Sequence, residues 1–137
     1  MIKIKLNIEP NIESLEKTRE SVNNAIIQLV GDQPWLYELN LAIEEVIVNI
    51  IDHGSKAVTI NVTLERKNNE LVVEIIDTSI PFDITKKEVP DLQKHYREYK
   101  NRGLGVFLIK NIADNLKYRY ENGKNILTII KRIEAKC

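Results

Sequence analysis

Only one cysteine, Cys137, stands among the 137 residues. A disulfide framework within the chain is excluded, and a reducing cytoplasm is the natural setting. An excess of charge of one sign is also missing, since 20 Lys and Arg balance 20 Asp and Glu. No global field therefore draws the chain to nucleic acid or to an anionic membrane, and no dense run of Lys and Arg supplies a local one. Long hydrophobic runs are lacking too, because charges interrupt the apolar stretches every few residues. That leaves no candidate for a transmembrane helix. The opening residues Ile2, Ile4 and Leu6 alternate with Lys3 and Lys5, which reads as a strand and not as a signal peptide. Internal repeats, low-complexity tracts and linkers are absent as well, so the expectation is one domain over 1–137, long enough to bury a real core.

What is present has clear periodicity. Ile2, Ile4, Leu6 and Ile8 alternate with polar residues and Pro10 closes the strand. Asn11 or Ser14 can cap a following helix whose apolar stripe is Leu15, Val22, Ile26, Leu29 and Val30. After a break at 31–34, a second helix is predicted over 34–53, stopped by Gly54 and carrying Leu36, Leu39, Ile43, Val46, Ile47 and Ile50. Alternation over 58–65 and 71–76 around a polar turn at 67–70 predicts a hairpin. Residues 77–102, with Pro81, Pro90 and much charge, form a long loop. A third helix follows Gly103-Leu104-Gly105 and ends near 115, and strands at 117–120 and 125–131 flank Asn122-Gly123. Strands outnumber crossover helices and come in hairpins. The fold class is thus an α/β (α+β) two-layer sandwich, a mixed and mostly antiparallel sheet with helices on one face.

Three clusters can carry chemistry. On the second helix Glu45, Asn49 and Asp52 fall at i, i+4 and i+7 and share a face. A carboxylate, an amide and a second carboxylate so aligned can supply a general base and a ligand for a hydrated cation. The plainer reading is a solvated polar stripe on a core helix. Asp77, leaving a strand, can accept a hydrogen bond from an amino group such as that of adenine, or can simply open an Asp-Thr-Ser turn. Arg102-Gly103-Leu104-Gly105, opening an apolar helix, can bring backbone amides and a helix dipole to an anion, with Arg102 and Lys100 near phosphate oxygens. It can equally be a tight turn before a packed helix.

In this order the clusters resemble the N box and the two glycine boxes of the Bergerat-fold, histidine-kinase-like ATPases. Within that superfamily the pattern is similar to the anti-sigma-factor serine/threonine-protein kinases. The residues that carry this likeness are His53-Gly54 after Asn49, the spacing from Asp77 to Pro81-Phe82-Asp83, and Gly103 to Ile109. The closing Gly123, Asn125, Leu127, Thr128 and Lys131 add to it. The resemblance implies Glu45 as general base and Asn49 as the holder of Mg2+ bridging the phosphates of ATP. It places His53 near the phosphates and Asp52 at the nucleotide or its hydration shell. Asp77 reads the adenine amine, with Thr128 in support through water. Arg102, Gly103, Leu104 and Gly105 wrap the phosphates under a lid at 83–100. The implied activity is phosphoryl transfer to a serine or threonine of an anti-sigma-factor antagonist. The implied partners are that antagonist and a sigma factor, and the implied assembly is a homodimer.

Two positions depart from the family. Ser79 stands where the first glycine box has Gly, which implies a modest weakening of adenine binding. Arg102 stands where a small residue is usual, as a phosphate contact or as a source of crowding. Two other functions stay open on these residues. One is a non-catalytic, nucleotide-dependent protein-binding module, motivated by Ser79 and the short charged lid. The other is an ATP hydrolase that uses water as acceptor.

Overall fold

Alternation at the start of the chain produces β1 (Lys3–Ile8), with Ile8 buried. In the computed structural model, which describes residues 2–53, 58–86 and 104–134, the chain then makes a short 3-10 turn (Ile12–Ser14). Asn11 caps this turn, its Oδ1 accepting from the Ser14 amide at 2.9 Å. The Ser14 hydroxyl donates backwards to the carbonyl of Glu9 at 2.9 Å, so Ser14 caps no amide of the helix it precedes. That helix, α1 (Leu15–Val30), buries Val22, Ala25, Ile26 and Val30 and stops at Gly31. Gly31 has φ 76°, a left-handed value that glycine adopts freely.

The second helix, α2 (Leu36–His53), starts two residues later than Pro34. Residues 33–36 form a turn first, closed by the Leu36 amide donating to the Gln33 carbonyl at 3.0 Å. Leu36, Leu39, Ile43, Val46 and Ile47 are all buried, as the periodicity predicts, and Ile50 packs partly buried beside them. The hairpin β2 (Ile60–Lys67) and β3 (Glu70–Asp77) turns through Asn68, whose φ of 53° an asparagine tolerates. A 3-10 turn (Ile84–Lys86) interrupts the predicted loop, and residues 87–103 lie outside the described residues. The third helix, α3 (Leu104–Ile112), ends short of 115 because β4 (Asn115–Glu121) already begins there. Strands β4 and β5 (Lys124–Arg132) are both longer than predicted. Their ladder runs from Asn115↔Ile130 to Glu121↔Lys124, and the polar residues at its ends hide it from the sequence pattern. Asn122 and Gly123, with φ of 53° and 76°, form the left-handed two-residue turn that suits the strand twist.

The five strands form one sheet in the order β1-β2-β3-β5-β4, and every pairing is antiparallel. Register assigns the faces. Val62, Ile75 and Leu127 are paired across β2, β3 and β5, as are Leu64, Val73 and Ile129, and all six are buried in the core with the apolar faces of α1 and α2. The alternate positions form the other face, where Lys5, Thr63, Glu74, Thr128 and Lys117 run as one polar row over all five strands. Helix α2 packs against both α1 and α3. A final clasp joins distant parts: the Gln33 Nε2 donates to the Val30 carbonyl at 3.0 Å, and the Glu134 amide donates to Gln33 Oε1 at 2.9 Å. No helix among the described residues is long and apolar enough to cross a membrane.

Candidate functional site

A cleft of about 300 Å³ opens where the helix layer meets the ends of β3 and β5. Val46 and Ile50 from α2, with Ile75 and Leu127 from the sheet, make its apolar floor. Asn49 enters from α2 and Asp77 from the end of β3. Ile80 and Phe82, both exposed, stand at its mouth on the segment leaving β3. An apolar slot with a few convergent polar groups suits a flat, partly polar ligand. A larger hollow of about 670 Å³ lies between α1 and α2, beside Arg19, Tyr37 and Asn40, and contains none of the predicted site residues.

Asp77 is 5% exposed and ends a strand that is paired along both edges. Its Oδ1 accepts three hydrogen bonds: from the Ser79 amide at 2.9 Å, from the Ser79 hydroxyl, and from Asn125 Nδ2 at 3.1 Å. Its Oδ2 accepts none from the described residues. Asn125, also buried, faces Asp77 directly across the β3–β5 ladder. It ties down the loop as well, donating to the Ile80 carbonyl at 2.9 Å while its Oδ1 accepts from the Phe82 amide at 3.0 Å and from the Tyr118 hydroxyl. Burial raises the Tyr118 phenol above its ordinary pKa, partly offset by the Phe82 amide it accepts. The network leaves the strand exit rigid and a single carboxylate oxygen unclaimed.

On α2 the three predicted residues diverge. Asn49 lines the cleft, Glu45 sits half-buried one turn before it, and Asp52 is exposed one turn after it. Glu44 and Glu45 have different surroundings. Arg19 of α1 grips Glu44 with two hydrogen bonds of 2.6 and 2.9 Å. Glu45 has no cationic partner among the described residues, and burial, with the Glu44 charge second, raises its carboxyl above the usual value. A carboxylate that holds its proton more tightly and has no competing cation is suited to general base work.

The remaining predicted residues are distributed as follows. His53 is the last residue of α2, and its side chain lies outside the described residues, as do Arg102, Gly103 and most of the predicted lid. Leu104 and Gly105 are the first two residues of α3, at the helix end where free amides gather. Thr128 is not brought to the cleft. It lies on the opposite face of the sheet, where its hydroxyl donates to Glu74 at 3.3 Å. The cause is strand parity, since Thr128 is an odd number of residues from Asn125 and points the other way. Thr128→Val therefore leaves ligand affinity in the cleft unchanged to within about twofold, checked by calorimetry, and costs only the roughly 1 kcal/mol of one hydrogen bond. The neighbour of Asp77 that the sequence pattern passed over is Asn125, whose signal is a polar residue two positions after a left-handed turn that fixes the register.

Residues 8–131 match the model of a family described as the histidine kinase-like ATPase domain. The chain belongs to this family. Among the relatives of this histidine kinase-like ATPase domain is the anti-sigma F factor of Clostridium acetobutylicum, 25% identical over 97 residues, covering 69% of this chain and 68% of that one. Another is the serine-protein kinase RsbW of Bacillus thuringiensis, 26% identical over 96 residues, covering 66% of this chain and 60% of that one. The match thus spans about two thirds of the first relative and less of the second. The crystal structure of the RsbU and RsbW domains of a Mycobacterium tuberculosis protein superposes with a TM-score of 0.68 at 12% identity, covering 97% of this chain and 33% of that one. At that identity the likeness concerns the fold, and it agrees with the antiparallel sheet and helix layer described above.

Proposed function

We propose that the chain is an ATP-dependent serine/threonine protein kinase that phosphorylates an anti-sigma-factor antagonist and sequesters a sigma factor. The observation that carries this reading is the pairing, in one apolar cleft, of a buried carboxylate and an amide one helical turn from a glutamate that has no cationic partner among the described residues. The names of the two curated relatives, an anti-sigma F factor and a serine-protein kinase, support it. Asp77 Oδ2 accepts the adenine amine, and the apolar walls take the ring. Asn49 offers one amide oxygen to Mg2+, which fits an ion held chiefly by nucleotide phosphates and water and needing only one or two protein ligands. Bound there, the ion would neutralise phosphate charge. Backbone amides at the start of α3 are proposed to meet the same anion, with Arg102 and His53 as its side-chain contacts.

In the transfer, the substrate hydroxyl oxygen bonds to the γ-phosphorus as the bond to ADP breaks, and Glu45 takes the hydroxyl proton. Little covalent chemistry is asked of the chain, whose work is positioning and charge placement. The kinase is proposed to act as a cytoplasmic homodimer, following the family pattern. Calorimetric titration of Mg-ATP into the wild type and Asn49→Ala tests the cleft, with micromolar-range binding expected for the first and a loss of at least about tenfold for the second. Incubation with ATP and the antagonist then yields phosphoserine or phosphothreonine. A wild type that fails to bind ATP removes the proposal, whereas binding without transfer leaves a nucleotide-dependent binding module.

A further inference from the structure

Ser79 departs from the family pattern at the position nearest the carboxylate of the cleft, where glycine is usual. Its backbone does not need glycine, because Asn68 and Asn122 are the only described non-glycine residues with positive φ. Its side chain is engaged. The Ser79 amide and hydroxyl both donate to Asp77 Oδ1, while the hydroxyl oxygen itself receives Asn125 Nδ2 at 3.3 Å. An aspartate carboxyl turns about its last torsion over a broad range unless it is held. Here Oδ1 carries three donors, more than its two lone pairs readily serve, so it has no capacity for a ligand. Oδ2 is the oxygen that accepts no hydrogen bond from the described residues.

We infer that Ser79 is a positioning residue for base recognition: by saturating Asp77 Oδ1 it presents Oδ2 as the sole acceptor, favouring a 6-amino purine over a 6-oxo purine. The inference rests on the nucleotide reading above, but it reverses the effect that the family comparison implies for this position. Glycine at 79 removes the hydroxyl donor, leaving Oδ1 held only by the residue-79 amide and Asn125 Nδ2, and the looser carboxyl lowers affinity for the amino base. Serine is then an added specificity element, coupled through Asn125 to the loop at the cleft mouth.

The test is calorimetric titration of Mg-ATP and of Mg-ITP, whose base carries an oxo group in place of the amine. It uses the full chain as wild type, Ser79→Gly, Ser79→Ala and Ser79→Thr, each checked for a normal melting profile. Ser79→Gly and Ser79→Ala are expected to lose about five- to tenfold in ATP affinity with ITP affinity changed by less than about twofold, the scale of one charge-assisted hydrogen bond. Ser79→Thr, which keeps the hydroxyl, is expected to restore ATP binding. Should Ser79→Gly fold poorly, Ser79→Ala carries the measurement. Equal or tighter ATP binding by the hydroxyl-free variants overturns the inference, and so does an equal loss for both nucleotides, which marks a merely structural role. A wild type that binds neither nucleotide overturns the nucleotide reading and this inference together.

Discussion

Glu45→Gln lowers the rate of phosphoryl transfer to the antagonist by about 10²- to 10⁴-fold, the usual worth of a positioned general base. Glutamine keeps the shape and the helix propensity of glutamate but cannot accept the hydroxyl proton. ATP affinity is expected to stay near that of the wild type, because Glu45 is not among the residues that line the cleft. Single-turnover transfer and equilibrium binding, measured on the same preparation, separate the two effects. An unchanged transfer rate assigns the base elsewhere. The pH profile adds a second readout. Burial, then the charge of Glu44, raises the Glu45 carboxyl. The base form is therefore lost, as pH falls, at a higher pH than for an ordinary carboxylate, and the acid limb of kcat/KM is displaced upward accordingly. The stability effect has the opposite sense. A carboxyl that binds its proton more tightly when folded detracts from stability once ionised, and that penalty fades as pH falls through the raised value. At neutral pH Glu45→Gln should melt no lower than the wild type, so a lost activity cannot be blamed on unfolding.

Asp77→Asn is expected to reduce ATP affinity by about two orders of magnitude, through one lost charge-assisted bond and one new repulsion. The direction follows from the bonds already made. Three donors converge on Oδ1, so the amide must place its oxygen there. Its NH2 group then occupies the position of Oδ2 and points a donor at the donor amine of adenine. An oxo base offers an acceptor at the same place, so ITP should gain on ATP and overtake it. Titration of both nucleotides into wild type and variant gives the answer directly. If ATP binding survives in Asp77→Asn, or if both nucleotides are lost to the same degree, Asp77 does not read the base. A melting curve guards against a collapse of the strand exit, where Asn125 depends on the same oxygen.

Much of this was legible in the sequence, and the misses share causes. Core positions such as Ile26, Leu39, Ile43 and Ile47 follow from helical spacing, and each is fully buried. The strands of the β2–β3 hairpin follow from alternation around a polar turn. The family resemblance singles out Glu45 over Glu44 as the acid four residues before Asn49, and the structure gives the two carboxylates different surroundings. Arg19, which occupies Glu44, lies 25 residues earlier on another helix, and no local pattern announces it. The resemblance names Thr128 beside Asp77, but the register sets Asn125 opposite Asp77 and puts Thr128, three residues on, on the other face of the strand. That register is fixed by the Asn122–Gly123 turn and by the Asp77↔Asn125 pairing. The extra length of β4 and β5 was hidden because their ends are charged or amide residues, held by backbone pairing and not by burial.

The place of β5 in the sheet has a consequence for how the protein is made. Strand β5 follows β4 in the sequence but is inserted between β3 and β4, and among the described residues β4 pairs with no other strand. During synthesis β3 therefore keeps a bare edge, and β4 has nothing to lie against, until residues 124–132 have emerged. The clasp between Gln33 and Glu134, 101 residues apart, closes later still. Long-range closures of this kind slow folding. They also make it conditional, because Asn125 travels on β5 and the Asp77 carboxylate gains its bond from Asn125 only when that strand arrives. A nascent or C-terminally clipped chain can hold its first two helices and its first hairpin and still possess no cleft, so binding competence arrives only with the final strand.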